Sequence, residues 1–525
     1  MLRKIRIVLA LIFFAGITLL FLDFTGTIHA WLGWMARIQF MPAVLALHVG
    51  VIIGLVLLTL IFGRVYCSVI CPLGVMQDLL AWLGKKQKKN RYTYSPAHNW
   101  LRYAMLALFV VVLVLGVGSV VALLEPYSIF GRIASNLFAP VYGWINNLFA
   151  LIAERADSYA FYSTNVWLRS LPTFIIAAVM LVLIAVLAWR NGRTWCNNIC
   201  PVGTVLGFLS RFSWLKPVID TDKCISCCKC ERNCKASCID IAHHKIDYSR
   251  CVACMDCIGN CPKDAISYVH PRKAAFPASV PAVASAAKAA PKADKAGSAE
   301  TVDTARRGFL TASVMTAAAV TVGAQEKKVD GGLAVIEDKV IPDRGTPLVP
   351  PGAVSLKHFA QHCTGCQLCV SVCPNGVLRP ATDLMRLMQP EMSYERGYCR
   401  PECTKCSEVC PAGAIRPIDV AEKSSTQIGH AVWVRHNCIP IHDGVPCGNC
   451  ARHCPTGAIQ MVPFHGGKRR GRMGMHKDKN VAKNSVMVPA VNTERCIGCG
   501  ACENLCPARP FTAIYVTGHE VHRTV

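Results

Sequence analysis

Long apolar runs are confined to the first 190 residues of this chain. Runs of spanning length lie near residues 5–22, 42–62, 101–123 and 172–189, and a helix that crosses lipid needs about 20 such residues. The remainder is polar and interrupted by Pro and Gly, apart from one short apolar stretch near 309–324. The pattern predicts a membrane α-helical, four-span bundle followed by soluble modules.

Basic residues indicate which ends of these spans face the cytoplasm. The chain begins MLRKIR, and further bases follow the second and fourth spans: Lys85, Lys86, Lys88, Lys89, Arg91, Arg190 and Arg193. The loops at 23–41 and 124–171 contain few bases. Because cytoplasmic loops carry the excess of Lys and Arg, we expect both ends of the unit inside the cell. Much of the net charge of +24 reflects this asymmetry and the lysines of the soluble domains, and no motif supports nucleic-acid binding.

The membrane unit, residues 1–217, contains an internal repeat. GRVYCSVICPLG follows the second span at 63–74, and GRTWCNNICPVG follows the fourth span at 192–203. The shared pattern is Gly-Arg-x-aromatic-Cys-x3-Cys-Pro-x-Gly, so two spans with this turn form one unit that occurs twice. The repeated thiols are Cys67, Cys71, Cys196 and Cys200.

Six groups of four cysteines follow the membrane unit. Four groups have the regular spacing C-x2-C-x2-C-x3-C: Cys224, Cys227, Cys230, Cys234; Cys251, Cys254, Cys257, Cys261; Cys363, Cys366, Cys369, Cys373; and Cys496, Cys499, Cys502, Cys506. Two groups lengthen only the first gap: Cys399, Cys403, Cys406, Cys410; and Cys438, Cys447, Cys450, Cys454.

This spacing is typical of iron–sulfur ligands. Three closely spaced thiolates bind one [4Fe–4S] cluster, and the fourth thiolate reaches a neighbouring cluster. Structural zinc prefers pairs of C-x2-C separated by a longer loop, and disulfides impose no repeated spacing. The sequence therefore predicts six [4Fe–4S] clusters with 24 of the 30 cysteines as ligands, in a chain that transfers electrons.

Residues 218–270 are predicted to form a compact cytoplasmic module with two clusters. Exchange of the fourth ligands groups Cys224, Cys227, Cys230 with Cys261, and Cys251, Cys254, Cys257 with Cys234. Cys228 and Cys238 fall outside this register and are expected to be bystander thiols. Lys235 follows Cys234, whereas the other five groups end in Cys-Pro.

Two segments separate this module from the second cysteine-rich domain. Residues 271–303 are rich in Ala, Pro, Lys and Ser, which predicts a disordered linker. At 304–325, TARRGFLT precedes a weakly apolar run, a form typical of a twin-arginine export signal. A membrane-edge helix with two snorkelling arginines is the alternative. A signal would carry the following domain, already loaded with its clusters, to the periplasm.

The domain at 350–518 contains the last four cysteine groups. The outer two groups are regular and the inner two are not. This symmetry favours nested exchange of the fourth ligands, the first group with the fourth and the second with the third. Exchange between sequential neighbours is the alternative. A basic loop at 465–483 is either merely solvated or steers an acidic partner.

These motifs together carry a resemblance to a known family. The first 270 residues resemble NapH-type membrane ferredoxins, through the four spans, the paired C-x3-C-P turns and the two-cluster module. The chain from about residue 304 resembles NapG-type exported ferredoxins, through the twin-arginine leader and the four cysteine groups. The resemblance implies α+β ferredoxin-like iron–sulfur domains in a multi-pass protein of the bacterial inner membrane. In the family these are two proteins; here one chain tethers them, which raises their effective concentration.

The resemblance also implies a function. The chain would be a quinol dehydrogenase-type component that passes electrons from the membrane quinol pool to a periplasmic c-type cytochrome or reductase, such as the nitrate reductase system. Two alternatives are an assembly or maturation factor, and a reverse conduit from cytoplasmic ferredoxin. No terminal catalytic domain, dinucleotide fingerprint or haem attachment sequence is evident in the sequence.

The membrane unit offers candidate catalytic residues. Cys67, Cys71, Cys196 and Cys200 are either a redox relay at the membrane edge or small buried residues that pack a turn. His48 is the candidate acceptor of a quinol proton, since an ionisable residue inside a span is a functional hypothesis by default; helix packing is its alternative. Asp23, Arg37 and Glu125 are weaker candidates near the outer surface.

Overall fold

The structure is a computed structural model that describes residues 2–23, 26–87, 92–158, 160–270, 337–464 and 486–524. The described residues of Met1–Phe276 and Val340–Val525 form the first of the two units into which the chain divides. The predicted linker, the signal segment and the basic loop at 465–483 lie outside the described residues. All helices and strands of the described residues belong to the first unit.

The first part of the chain is helical. Its helices are α1 (Leu2–Leu22), α2 (Thr27–Leu32), α3 (Trp34–Arg37), α4 (Phe40–Leu45), α5 (Val49–Phe62), α6 (Pro72–Gln87), α7 (Asn99–Leu115), α8 (Gly118–Leu124), α9 (Pro126–Ile133), α10 (Ala139–Arg155), α11 (Leu171–Asn191), α12 (Thr194–Asn198) and α13 (Pro201–Ser210). Two π-helical segments, Tyr66–Ile70 and Ala134–Phe138, lie between them. The shared core contains Leu20, Phe130 and Ile184, so α1, α9 and α11 pack together.

Two of the four predicted spans are interrupted. Among the described helices, α1 and α11, each of 21 residues, are long and apolar enough to cross a membrane. The predicted span at 42–62 breaks at Leu47 (φ 53°), which leaves α5 with 14 residues. The span predicted at 101–123 breaks at Gly116 (φ 73°), which ends α7 after 17 residues, because a left-handed residue terminates a helix. The four-span bundle stays a prediction.

Residues 216–269 form a small α+β module. Strand β1 (Lys216–Ile219) pairs antiparallel with β4 (Ile266–Val269), and β2 (Ile239–Asp240) pairs with β3 (Lys245–Ile246). Two single-turn helices, α14 (Lys229–Arg232) and α15 (Asp256–Gly259), lie between the strands in sequence. Strands this short leave most of the module to the cysteine-bearing loops.

The C-terminal domain repeats this plan on a larger scale. Its helices are α16 (Leu356–His362), α17 (Leu368–Ser371), α18 (Lys405–Val409), α19 (Val420–Ser425), α20 (Ile439–His442), α21 (Asn449–Arg452) and α22 (Ala501–Asn504), with a 3-10 turn at Arg435–Asn437. Its strands form antiparallel pairs: β5 (Leu378–Pro380) with β6 (Pro390–Met392), β7 (Thr426–Trp433) with β10 (Ile514–Thr524), and β8 (Ile459–Pro463) with β9 (Met487–Val491). A β-bulge interrupts β10 after Gly518.

Helix α1 contacts both cysteine-rich modules, one at each end. Near its start, Arg3 pairs with Asp256 of the two-cluster module, Nε to Oδ1 at 2.9 Å. Near its end, Phe21 packs against Gly131 of α9, and α1 also contacts α17 of the C-terminal domain. A helix of 21 residues is about 30 Å long. The two modules are therefore separated by roughly the thickness of a membrane core.

Candidate iron–sulfur sites and the tetra-cysteine core

Two cavities in the module at 216–269 are each lined by five cysteines, four in the ligand register and one outside it, which is Cys228 at the first cavity and Cys238 at the second. Site I is lined by Cys224, Cys227, Cys230 and Cys261. Site II is lined by Cys234, Cys251, Cys254 and Cys257. This is the grouping that exchange of the fourth ligands predicts. Both sites offer four thiols around one cavity, the ligand set of a [4Fe–4S] cluster.

Two further cavities lie in the C-terminal domain. Site V is lined by Cys454, Cys496, Cys499 and Cys502, and site VI by Cys438, Cys447, Cys450 and Cys506. The remaining thiols form two sets of electrostatic neighbours. Site III contains Cys363, Cys366, Cys369 and Cys410, and site IV contains Cys373, Cys399, Cys403 and Cys406.

The nested exchange that the symmetry of the groups favoured is wrong. The first group exchanges its fourth ligand with the second, and the third exchanges with the fourth. The reason is packing: α17 contacts α18, and α21 contacts α22, so each pair of neighbouring groups forms its own two-site module. The longer first gap of the inner groups changes how the chain reaches the first ligand. It does not change which group supplies the fourth ligand.

The four cysteine groups with regular spacing share one backbone conformation. In each of them, the second and fourth residues after the first cysteine have left-handed backbone conformations: Ser226 and Cys228, Ala253 and Met255, Gly365 and Gln367, Gly498 and Gly500. Alternation of this kind turns successive N–H groups towards one concave side, which suits an anion. Cys228 is therefore a turn residue, as expected of a thiol outside the ligand register.

Cys238, the second thiol outside the register, lies against site II. Its Sγ is 3.5 Å from Cys234 Sγ. The hydrogen bond from Cys238 lowers the pKa of Cys234 to about 7 and is the largest cause that lowers the pKa of Cys251. Cys238 is therefore a hydrogen-bond partner of two ligands of site II, a closer contact than that of a bystander thiol near the clusters.

Sites III to VI form a continuous series. Cys369 of site III interacts electrostatically with Cys406 of site IV. The Cys399 N–H of site IV donates to the Cys499 carbonyl oxygen of site V at 2.9 Å. Cys502 of site V interacts with Cys450 of site VI. The order along the domain is thus III, IV, V, VI.

Site III lies directly against the membrane unit. A Cβ at Gly131 would be 2.4 Å from the Cys366 carbonyl oxygen, so only glycine permits this approach of α9. Asn136 Nδ2 donates to Gln367 Oε1 at 2.8 Å. Arg132 is 1% exposed, has Glu125 and Cys366 as electrostatic neighbours, and has no hydrogen-bond partner for any guanidinium nitrogen within the described structure. A buried cation without partners beside Cys366 suits an anionic cluster at site III.

The four thiols of the C-x3-C-P repeat also converge. Cys67, Cys71, Cys196 and Cys200 are at most 4% exposed, and none of them forms a disulfide. Each of their six pairs interacts electrostatically. Burial, followed by the charge of Cys196, raises the pKa of both Cys71 and Cys200 well above the usual value. We call this set the tetra-cysteine core.

The arginines of the repeat cross between its two halves. Arg64 Nη2 donates to the Cys196 carbonyl oxygen at 3.2 Å and lies 3.8 Å from Cys67 Sγ. Arg193 Nη1 donates to the Cys67 carbonyl oxygen at 2.5 Å. Both guanidinium groups are fully buried. Each half of the repeat therefore stabilises the cysteine turn of the other half.

The last glycine of each repeat makes this crossing possible. A Cβ at Gly74 would lie 2.2 Å from the Cys67 carbonyl oxygen and 2.9 Å from Arg193 Nη1. The equivalent distances at Gly203 are 2.2 Å to the Cys196 carbonyl oxygen and 2.8 Å to Arg64 Nη2. The repeated Gly in the motif is thus a requirement of close packing.

Ion pairs join the core to site II. Arg193 Nε donates to Asp78 Oδ1 at 2.8 Å. Lys235 Nζ lies 3.5 Å from Asp78 Oδ1 and 2.9 Å from Asp256 Oδ2. Burial opposes ionisation of Asp78, but the charges of Arg193 and Lys235 outweigh burial and lower its pKa. Lys235, the departure from Cys-Pro, therefore links the loop of site II to the membrane unit.

The sequence reasoning did not select these supporting residues. The sequence does contain a signal for three of them. Arg64 and Arg193 belong to the repeated motif, and Lys235 occupies the position where the other groups have proline. Gln77, which donates to Cys196 Sγ at 3.3 Å, and Asp78 carried no local signal. Their roles depend on contacts across more than 100 positions.

The candidate quinol residues lie in different surroundings from those expected. His48 precedes α5 and is exposed, so it is not inside a helix. Glu125 accepts from the Tyr127 and Ser128 N–H groups as the N-cap of α9. Arg37 is exposed and donates to the Glu408 carbonyl oxygen at 3.1 Å.

Asp23 forms a pair that the sequence did not reveal. Its carboxylate accepts from the Gly26 and Ile28 N–H groups and lies 3.3 Å from His29 Nδ1. The His29 side chain is 8% exposed, and its Nε2 has no hydrogen-bond partner in the part of the chain that the structure describes. His29 is therefore a buried imidazole that a carboxylate orients, whereas His48 is exposed.

Family models match much of the cysteine-bearing sequence. A 4Fe-4S binding domain matches residues 44–90 and 172–219, and a second model of that description matches 244–267. A 4Fe-4S dicluster domain matches 362–414 and 445–509. The two dicluster matches agree with exchange between sequential cysteine groups.

Several curated proteins are similar to parts of the chain. The methylamine utilization ferredoxin-type protein MauM of Paracoccus denitrificans is 31% identical over 178 residues, 33% of this chain and 73% of MauM. The ferredoxin-type protein NapG of Escherichia coli is 28% identical over 185 residues, 34% of this chain and 75% of NapG. The ferredoxin-type protein NapH of Haemophilus influenzae is 28% identical over 187 residues, 35% of this chain and 52% of NapH.

Coverage differs among these relatives. The chain spans about half the length of NapH, and 47% of a putative electron transport protein of Escherichia coli, YccM. No solved structure matches the chain. The cysteine sites, the domain matches and the coverage of MauM lead to one conclusion: the chain belongs to the family of ferredoxin-type iron–sulfur proteins of electron transport that includes MauM, NapG and NapH.

Proposed function

We propose that this protein oxidises membrane quinol and passes the electrons through sites III to VI to a periplasmic acceptor, a c-type cytochrome or a reductase such as that of nitrate reduction. The observation that carries the proposal is the series of four cysteine sites that begins against the membrane unit. Site III contacts α9 through Cys366 and Gly131. Sites I and II lie by the opposite end of α1, where Arg3 pairs with Asp256.

The chemistry requires separate paths for protons and electrons. Oxidation of one quinol to quinone releases two protons and two electrons. When bound, [4Fe–4S] clusters accept and release single electrons. The chain must therefore supply a proton acceptor close to the first electron acceptor, and it must divide the electron pair over a series of sites.

We propose His29 as that proton acceptor, in place of His48. Burial is the largest influence on its pKa and lowers it, and the nearby Asp23 only partly opposes this. His29 is therefore neutral at pH 7 and free to take a proton at Nε2. It also lies close to Lys405 of α18, which precedes Cys406 of site IV. The imidazole is thus near the start of the electron path.

A quinol titration tests the proposal. The full chain in membranes is mixed with a reduced quinol analogue, and cluster reduction is followed by electron paramagnetic resonance. We expect reduced-cluster signals, and we expect His29→Gln to slow their appearance at least about tenfold, as loss of a general base does. His48→Gln is the matched control and should keep the native rate. Clusters that dithionite reduces and quinol does not would exclude the dehydrogenase function.

A reverse conduit is the second candidate. It is favoured by the ion pairs of Lys235 with Asp78 and Asp256, which connect site II to the membrane unit. Electrons from a cytoplasmic ferredoxin would then enter at site I and leave through the same membrane unit. Reduction of added quinone by a reduced low-potential ferredoxin, faster than oxidation of quinol, would favour this direction.

A further inference from the structure

We propose that the tetra-cysteine core binds one additional iron–sulfur cluster, a seventh, with two thiolate ligands from each half of the membrane repeat. The inference deepens the proposed function and rests on it only for the role of the site in electron flow. The existence of the site is independent of quinol, because it concerns iron bound to Cys67, Cys71, Cys196 and Cys200.

The number of ligands supports a site shared between the halves. The family model for a 4Fe-4S binding domain matches 44–90 and 172–219, and each match contains only two cysteines. A [4Fe–4S] cluster takes four cysteine ligands. Neither half is sufficient alone, but the fold brings both pairs together, so that all six thiol pairs interact.

The charge around the core also points to an anion. Arg64 is fully buried, and no carboxylate pairs with it among the described residues. Its hydrogen bonds go to Asn197 Oδ1 at 2.9 Å, to two carbonyl oxygens and, at 3.8 Å, to Cys67 Sγ. A buried cation requires a counter-charge. Thiolates held by a cluster would supply it.

The carboxylate nearest to the core already pairs with other cations. Asp78 is shared by Arg193, Lys235 and, at 3.0 Å, Arg6. Asp256 pairs with Lys235 and Arg3, so two carboxylates are shared by four cations, which leaves an excess of positive charge beside the core in addition to that of Arg64. Neutral packed thiols would not balance this excess, so the charge distribution argues against a purely structural role for the four cysteines.

The contacts of the sulfur atoms fit cluster ligands. Gln77 Nε2 donates to Cys196 Sγ at 3.3 Å, and the Gly203 N–H donates to Cys200 Sγ at 3.4 Å. Hydrogen bonds to ligand sulfurs are one means by which proteins set the potentials of clusters. Both donors belong to helices that follow a Cys-Pro turn, and the Gly74 N–H interacts with Cys71 as the Gly203 N–H does with Cys200.

A single metal ion fits less well than a cluster. Throughout the described residues, no three His, Cys, Asp or Glu side chains are gathered closely enough to hold one ion. The same holds for sites I to VI, whose ligands would stand around a larger cluster of iron and sulfide.

The position of the core suits electron exchange with site II. The Arg193 N–H donates to the Lys235 carbonyl oxygen at 2.8 Å. Val252, between two ligands of site II, belongs to the same buried core as Cys71 and Cys200. A cluster in the core would lie between the two-cluster module and the interior of the membrane unit.

Iron analysis of the purified full chain tests the inference. We expect about 28 iron atoms and as many acid-labile sulfides per chain, four for each of seven clusters. Cys71→Ser and Cys200→Ser should each lose about four iron atoms, together with one signal in electron paramagnetic resonance. Cys228→Ser, which removes a thiol that lines site I but lies outside the ligand register, is the matched control and should lose none.

Two further measurements do not require a cysteine variant that folds. The native chain requires no substitution, and about 24 iron atoms or one equivalent of zinc in it would overturn the proposal. Arg64→Gln retains all ligands and should lower the midpoint potential of one cluster while the iron content stays at about 28. A protein with seven clusters that quinol does not reduce would support the seventh cluster and refute only the proposed function.

Discussion

Single residues determine how the cysteine sites join the rest of the molecule. The clearest case is Lys235, which replaces the proline found after the other fourth cysteines. Its ammonium lies between Asp78 and Asp256, so the departure from the motif has a structural purpose. Arg132 lies at the other end, buried beside Cys366, and its guanidinium has no hydrogen-bond partner among the described residues.

Lys235→Pro should loosen the two-cluster module. Breaking a buried ion pair leaves an uncompensated charge and costs about 3 kcal/mol. We expect a lower free energy of unfolding in denaturant titrations by about that amount. Lys229→Ala, at an exposed lysine of the same module, should change it by less than about 0.5 kcal/mol. Equal effects of the two variants would contradict the role of Lys235.

The contribution of this pair should depend on pH in a defined direction. Burial opposes the charged form of both groups, yet Lys235 lowers the pKa of Asp256 below 3.8, and Asp78 raises the pKa of Lys235 above 10.5. The pair therefore stabilises the fold at neutral pH. Its contribution is lost as the pH falls through the folded pKa of Asp256, or rises through that of Lys235.

Arg132→Gln should lower the reduction potential of site III. A nearby cation stabilises the reduced, more negative state of a cluster. A tenfold loss of electron affinity corresponds to about 60 mV for a one-electron couple, and we expect a shift of that size in a redox titration followed by electron paramagnetic resonance. Arg155→Gln, at an exposed arginine at the end of α10, should leave all potentials unchanged. An unchanged potential in Arg132→Gln would place the cluster away from this side chain.

At the scale of elements, the short C-x3-C-P turns make the contacts that join the two halves of the repeat and the two-cluster module. Each C-x3-C-P turn ends an apolar helix, begins the next helix with Pro72 or Pro201, and packs on its counterpart. The first glycine of each motif has a positive φ, 68° at Gly63 and 69° at Gly192. Such turns are where the two-cluster module docks.

Gly192→Ala should separate the two-cluster module from the membrane unit. A Cβ at Gly192 would be 2.4 Å from the Lys235 carbonyl oxygen, and its φ is left-handed, so both strain and overlap oppose any side chain. We expect faster hydrogen exchange in residues 229–240, by at least about tenfold, since local opening becomes less costly. Gly54→Ala, with no atom within 4 Å of its Cβ, is the control. Unchanged exchange in Gly192→Ala would contradict the docking.

Features that depend on local contacts could be predicted from the sequence, and features that depend on distant contacts could not. Ligand spacing is a local property, so the cysteine groups and the exchange within residues 218–270 were visible. Partner choice among the last four groups depends on which helices pack together, and nested exchange was accordingly wrong. The break at Leu47 has no local signal, whereas Gly116 does. The convergence of Cys67 with Cys196 joins positions 129 residues apart, which spacing alone cannot reveal.

At the scale of the whole molecule, α1 lies between the two iron–sulfur modules that the proposed electron path would use. Its two ends contact different iron–sulfur modules, and its length approximates the thickness of a membrane core. Sites III to VI continue outward from one end in a fixed order. The arrangement fits a chain in which the membrane separates the cytoplasmic module from the C-terminal domain.

Protease accessibility in spheroplasts should reveal this separation. We expect added protease to cleave residues 350–518 in intact spheroplasts, whereas residues 218–270 become accessible only after lysis. Epitope tags on both modules would make the comparison within one preparation. Protection of both modules until lysis would place the C-terminal domain in the cytoplasm and remove the periplasmic step.

The most direct test of the electron path is rapid-freeze electron paramagnetic resonance after quinol is added to two site variants. In Cys366→Ser, which disables site III, the account predicts that sites IV to VI stay oxidised, while dithionite still reduces them. In Cys447→Ser, which disables site VI, sites III to V should be reduced at the native rate. Reduction of sites IV to VI at the native rate in Cys366→Ser would contradict the account, because quinol electrons would then reach the C-terminal domain without passing site III.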